Sequence, residues 1–137
     1  MEIQIQNLNI WMVAVAGLVY YILGALWYSP LLFAKPWMKL NGYTEQDFQD
    51  INAARYIAAF FTSMIMSFVL AQFITHLGNG SIISGIGISL WVWVGFIGTF
   101  TLTNYMFSNR PVKLFMIDSG YNLVGLLIMS VIISAWK

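Results

Sequence analysis

The chain contains no cysteine in its 137 residues. That excludes disulfide bonds, thiolate nucleophiles and sulfur-ligated metals. A single histidine, His76, also excludes a multi-histidine metal site within one chain. No metal and no cofactor is therefore expected. Charge is scarce as well: Asp, Glu, Lys and Arg make up 8% of the chain, against roughly a quarter in soluble domains. The net charge of +1 gives no basic surface of the kind a nucleic acid requires, so nucleic acid is not an expected partner.

What the chain does have is apolar. Hydrophobic residues make up 60% of it. A soluble fold of this length cannot hide that much apolar surface, so lipid must cover it. The pattern predicts an all-α integral membrane four-helix bundle, formed as one domain over residues 1–137. The spans fall at about 10–28, 52–76, 82–107 and 114–136, each near the ~20 residues that a bilayer requires. A short interfacial amphipathic helix at about 30–41 lies between spans one and two. The polar tail before span one has no basic n-region, so span one reads as a retained helix and not a signal peptide.

Span one leaves the bilayer through Gly24-Ala25-Leu26-Trp27-Tyr28-Ser29-Pro30. Trp27 and Tyr28 pair an apolar ring with a polar atom and suit the headgroup zone. Ser29-Pro30 reads as the cap and first residue of the interfacial helix. Asn41-Gly42 reads as the end of that helix, and Thr44-Glu45-Gln46-Asp47 as the start of another. The expected lipid-contacting residues of this segment are Trp27, Tyr28, Phe33, Lys35, Trp37 and Lys39.

Small residues mark helix contacts. Gly17, Tyr21, Gly24 and Tyr28 share one face of span one, which either packs or lines a ligand. Ala59, Ser63, Ser67 and Ala71 form a row on span two and read as a packing seam. His76, at the far end of span two, reads as an interfacial capping group. Span three holds Gly85, Gly87, Ser89, Gly95, Gly98, Thr99, Thr101, Thr103 and Asn104, a composition that predicts the most protein-buried helix. Trp91 and Trp93 fall near its middle, where each indole N–H needs a partner.

Asp118 is the only acid of span four. An acid inside a span is a functional candidate by default. Asn122 follows one turn later on the same face. Asp118, Asn122, Asn104 and Arg55 form the candidate polar pathway. The alternative is a structural ion pair of Asp118 with Arg55, Arg110 or Lys113.

Lys35, Lys39 and Arg55 lie between or near spans one and two, and Arg110 and Lys113 between spans three and four. Lys137 is the one basic residue at the other side. The positive-inside rule makes loops 29–51 and 108–113 cytoplasmic and places both termini outside. Phe33–Leu40 and Phe107–Leu114 are loosely similar. That echo fits either a duplicated helical hairpin or interface chemistry met twice.

Gly24-x-x-Trp27-Tyr28-Ser29-Pro30-x-Leu32-Phe33, followed by Lys35-Pro36-Trp37 and later by Gly120-Tyr121, resembles the signature of a bacterial membrane family, domain of unknown function 1761 (DUF1761). The resemblance implies a four-span inner-membrane protein and supplies no reaction, ligand or catalytic residue. Function therefore rests on the residues. The first reading is a homo-oligomeric channel or transport module for a small solute or ion of unknown identity. The alternative is a structural or accessory protein that binds or organises membrane lipid. A lipid-acting enzyme comes last, because no nucleophile–base pair is in sight.

Overall fold

The computed structural model describes residues 2, 3, 5 and 7–136, and of Phe48 the backbone alone. Met1 and Lys137, placed above at outward-facing ends, lie outside the described residues. The fold is all-helical, with four helices long and apolar enough to cross a membrane. Its elements are α1 (Ile10–Trp27), α2 (Ala34–Asn41), α3 (Glu45–Gln49), α4 (Ala53–Leu77), α5 (Ile82–Val92), a π-helical segment (Trp93–Gly98), α6 (Thr99–Phe107) and α7 (Val112–Ala135). The π segment and α6 continue α5, so Ile82–Phe107 is one span.

Local chemistry sets the helix starts. Asn9 accepts from the backbone N–H of Trp11 and Met12, Asn52 from that of Arg55, and Ser81 from that of Ser84. Each N-cap supplies an acceptor for a donor that the first helical turn leaves unpaired. At the start of α7 Pro111 stands in the cap position, where its missing N–H costs nothing.

Helix α7 is the hub: it packs on α1, α4, α5, the π segment, α6 and α2. The core runs through Met12, Val13, Ala16 and Tyr20 of α1, Leu70, Ala71 and Ile74 of α4, and Leu126, Met129 and Ile133 of α7. Ser63, Ser67 and Ala71 are buried against α1. The Ser67 hydroxyl donates to the Val13 carbonyl at 2.8 Å, and Gly17 lies against Met64 and the Ser63 carbonyl. From Ser63 to Ala71 the small-residue row is thus a seam, with a hydroxyl crossing it where hydrocarbon offers no other partner, whereas Ala59 at its start is exposed. Ser89 likewise donates to the Leu126 carbonyl, joining α5 to α7.

The expectation that span three is the most buried is overturned. Only 17% of its apolar window is buried, against 28–33% for the other three. Its small residues divide between two faces. Gly85 and Ser89 are buried on α7, whereas a Cβ added at Gly87 or Gly95 would meet no other part of the described chain within 4 Å, and Trp91 is 78% exposed. Trp93 points inward and donates from Nε1 to the Ser119 carbonyl at 3.0 Å. The π segment begins at this residue, and the Gly98 backbone packs against its ring.

The surface segment also differs from its sequence reading. Residues 28–33 form turns, in which Leu32 N–H and Ala34 N–H both donate to the Ser29 carbonyl. Helix α2 therefore begins at Ala34, not at Pro30. The Ser29 hydroxyl bonds back to the Leu26 carbonyl, extending the end of α1. Pro36 is tolerated because it sits in the first turn of α2. At the other end Gly42 has φ 72°, and the N–H groups of Gly42 and Tyr43 return to the Lys39 and Met38 carbonyls. This is the Schellman closure that glycine permits. Thr44 and Asp47 then close a reciprocal capping box around α3.

The two echoing stretches adopt different structures. Residues 34–41 form a helix, whereas the later stretch turns at Asn109 (φ 53°) and enters α7 directly.

A carboxylate held by an aromatic clamp

Asp118 lies on α7, half-buried. Three helical regions converge on its carboxylate. Tyr28, at the end of α1, donates from its hydroxyl to Oδ1 at 2.6 Å. Trp37 of α2 donates from Nε1 to the same oxygen at 3.1 Å. Tyr105 of α6 donates from its hydroxyl to Oδ2. All three donors are neutral. Hydrogen bonds to a charged acceptor each contribute about 1.5–3 kcal/mol, which offsets the cost of withdrawing a carboxylate from water. Among the described residues, no cation lies within ion-pair distance of Asp118.

A positive charge acts one layer out. The Arg110 guanidinium stacks 4.7 Å above the Tyr105 ring and donates from Nη2 to Asn41 Oδ1 at 2.9 Å. Asn41 in turn donates from Nδ2 to the Trp37 carbonyl at 2.9 Å. The links close a circuit: Asp118 to Tyr105, Tyr105 to Arg110, Arg110 to Asn41, Asn41 to Trp37, and Trp37 back to Asp118. Arg110 also lies beside the C-termini of α2 and α6, where helix dipoles favour a cation.

A second set of bonds fixes α1 to α7. Trp27 donates from Nε1 to the Ile117 carbonyl at 3.0 Å. Tyr20 donates to Asn122 Oδ1 at 2.6 Å, and Asn122 donates to the Asp118 carbonyl at 3.0 Å. Tyr121 donates to the Tyr20 carbonyl at 3.0 Å, and the rings of Tyr20 and Tyr121 stack at 4.8 Å. Tyr121 fits because its partner on α1 is Gly24, where a Cβ would lie 2.7 Å from the tyrosine oxygen.

Of the candidate polar residues, Asp118 and Asn122 come together on α7. Asn104 is exposed and accepts from the Ser108 hydroxyl. Arg55 is exposed at the start of α4. Of the expected lipid-facing residues, Lys35 and Lys39 are exposed. Trp27, Tyr28 and Trp37 instead direct their polar atoms to α7, and Phe33 packs on the Trp27 ring at 4.8 Å. Tyr105 escaped the sequence reading, and Asn41 was read only as the end of a helix, not as a partner of Arg110. The signal available was an acid with no cation at helical spacing, in a chain rich in aromatic donors.

His76 donates from Nδ1 to the Gln72 carbonyl at 2.8 Å, and its buried Nε2 has no hydrogen-bond partner among the described residues. Among the described residues, no three His, Asp or Glu side chains gather as a metal site. An apolar cleft of about 330 Å³ between α4, the third span and α7 is lined by residues including Met66, Phe73 and Leu126, and Asp118 does not line it. The clamp holds one carboxylate fixed among neutral donors, the hydroxyls of Tyr28 and Tyr105 and the indole N–H of Trp37.

Comparison with curated proteins and with solved structures gives no match. The profile of DUF1761, described as a protein of unknown function, matches residues 11–134. That match spans nearly the whole length, and the two stretches that carry the resemblance, Gly24–Trp37 and Gly120-Tyr121, meet at the clamp. The chain therefore belongs to the DUF1761 family.

Proposed function

We propose that this protein is a structural, lipid-contacting module of a bacterial inner membrane, in which Asp118 anchors the surface helix α2 to the bundle. One observation carries the reading: both carboxylate oxygens of Asp118 are engaged by donors from three separate elements of the same chain. A transport acid has to exchange its partners with a passing ion or solute. Asp118 instead joins α1, α2 and α6 to α7. With α2 held in this way, Leu31, Leu32, Lys35 and Lys39 remain exposed, an apolar and basic set suited to the headgroup boundary. By the positive-inside rule this end of the bundle faces the cytoplasm.

The test compares lipid retention with flux. Reconstituted protein should hold lipid through detergent exchange, and Asp118→Asn and Leu31→Ser with Lys35→Ser should each lower the amount held. Ion or solute flux in wild-type vesicles, lost in Asp118→Asn, would overturn the reading.

A second reading, a pathway between copies of the chain, is favoured by the open face of span three. A Cβ added at Gly87 or Gly95 would meet no other part of the described chain within 4 Å, and Trp91 is 78% exposed, so a second helix could approach closely there. Subunit number in nanodiscs tests it: a symmetric assembly closed through this face supports the pathway, and a monomer removes it.

A further inference from the structure

A crevice of about 180 Å³ opens between α2 and α3, lined by Pro30, Ala34, Lys35, Met38, Glu45 and Gln49. It is smaller than the ~300 Å³ lower bound of drug-sized sites. Its walls differ in chemistry. Pro30, Ala34 and Met38 form an apolar side. Lys35 brings a cation, and Glu45 and Gln49, one helical turn apart on α3, bring an anion and an amide. Lys35 and Glu45 line the same crevice yet form no ion pair with each other.

Both walls are fixed from outside the crevice. Trp37 and Asn41 tie α2 to Asp118 and Arg110, while the Thr44–Asp47 box sets the start of α3. Lys35 and Glu45 take no part in those bonds. The crevice lies beside the exit of α1 from its span, next to the exposed Leu31 (81%) and Leu32 (46%).

From this arrangement we infer that the crevice binds the headgroup of a zwitterionic aminophospholipid, with the Lys35 ammonium on the phosphate and the Glu45 carboxylate on the lipid ammonium. The apolar set of Leu31 and Leu32 then meets the start of the acyl chains. An anionic headgroup without an amine satisfies Lys35 and leaves Glu45 facing like charge. A trimethylated amine removes the N–H donors that Glu45 accepts from. The inference deepens the lipid-contacting reading and rests on it.

The experiment exposes the full-length protein to an equimolar mixture of phosphatidylethanolamine, phosphatidylglycerol and phosphatidylcholine, then identifies the lipids still bound after detergent exchange by native mass spectrometry. Wild type should retain phosphatidylethanolamine in excess, and the loss of one exposed charge-assisted contact should cut that excess about two- to fivefold. Glu45→Gln should shift retention toward phosphatidylglycerol, and Lys35→Gln should reduce retention of all three phospholipids at this site. Both side chains are exposed and outside the capping box, so the fold is kept, as circular dichroism would verify. Equal retention of the three headgroups, a wild-type preference for phosphatidylglycerol, or a preference unchanged in both variants would overturn the inference while leaving lipid contact standing. Absence of any retained lipid on wild type would overturn both.

Discussion

Trp37 and Asp118 stand 81 positions apart, yet the indole N–H of one donates to the carboxylate of the other at 3.1 Å. That bond turns an amphipathic surface helix into a fixed part of the bundle. Tyr28 and Tyr105 complete the clamp, so one half-buried anion defines where four elements meet. Its removal has consequences that differ from those of an exposed charge.

Asp118→Asn replaces one acceptor oxygen with an N–H group that faces a donor. The variant should lose about 1–3 kcal/mol of stability, read by SDS-titration unfolding in mixed micelles. Tyr28→Phe and Trp37→Phe should each cost less than Asp118→Asn, because the acceptor keeps its other donors. Equal stability of Asp118→Asn and wild type would show that the clamp contributes nothing.

Two glycines separate packing from open space. At Gly24 an added Cβ meets the Tyr121 oxygen at 2.7 Å and a ring carbon at 3.1 Å. Gly24→Ala should displace the ring, break its bond to the Tyr20 carbonyl and cost about 1–3 kcal/mol. At Gly87 an added Cβ meets no other part of the described chain within 4 Å, so Gly87→Ala should raise the stability of a monomer by up to about 1 kcal/mol through helix propensity. A loss of stability at Gly87 that depends on protein concentration would instead show a second copy packed on that face.

Arg110 and Asn41 are coupled through an exposed contact, so a small value is expected. A double-mutant cycle with Arg110→Ala and Asn41→Ala should give about 0.2–1 kcal/mol. Arg110→Lys should keep the charge while losing the planar stack on Tyr105. Additive effects in the cycle would remove Arg110 from the circuit.

The capping box predicts a pH response. The backbone N–H and hydroxyl of Thr44 hold the Asp47 carboxyl below its ordinary value of 3.8. A depressed folded-state value means the stabilisation is fully present above the unfolded value and is lost as pH falls through the folded one. The protection factor of the Thr44 amide, its exchange rate divided into the intrinsic rate at each pH, should therefore stay constant from neutral pH down to about pH 5 and fall only below the ordinary carboxylate range. A protection factor that falls near neutrality would point to a different cap.

The spans were legible because length, apolarity and turn residues are local signals. Asn9, Asn52, Ser81 and Gly42 act where their chemistry places them. The partners of Asp118 were not legible: Tyr28, Trp37 and Tyr105 come from three different elements, and no periodicity links them. Trp27, Tyr28 and Trp37 read as belt residues because an aromatic ring with a polar atom suits both a headgroup and an interhelical bond. Span three misled for a related reason. Small residues permit close approach without saying which face is approached, and Gly85 and Gly87 took opposite fates.

The central claim is that Asp118 fixes α2 to the bundle, and the absence of native cysteine makes a direct test clean. Spin labels at Lys39→Cys and Val112→Cys, both exposed positions, report the distance from α2 to the start of α7 in nanodiscs. A control pair at Phe61→Cys and Phe100→Cys reports the bundle itself. The account predicts one narrow α2–α7 distance distribution in the otherwise native chain and a broad one in Asp118→Asn, with the control pair unchanged. An α2–α7 distribution that stays narrow in Asp118→Asn would contradict it.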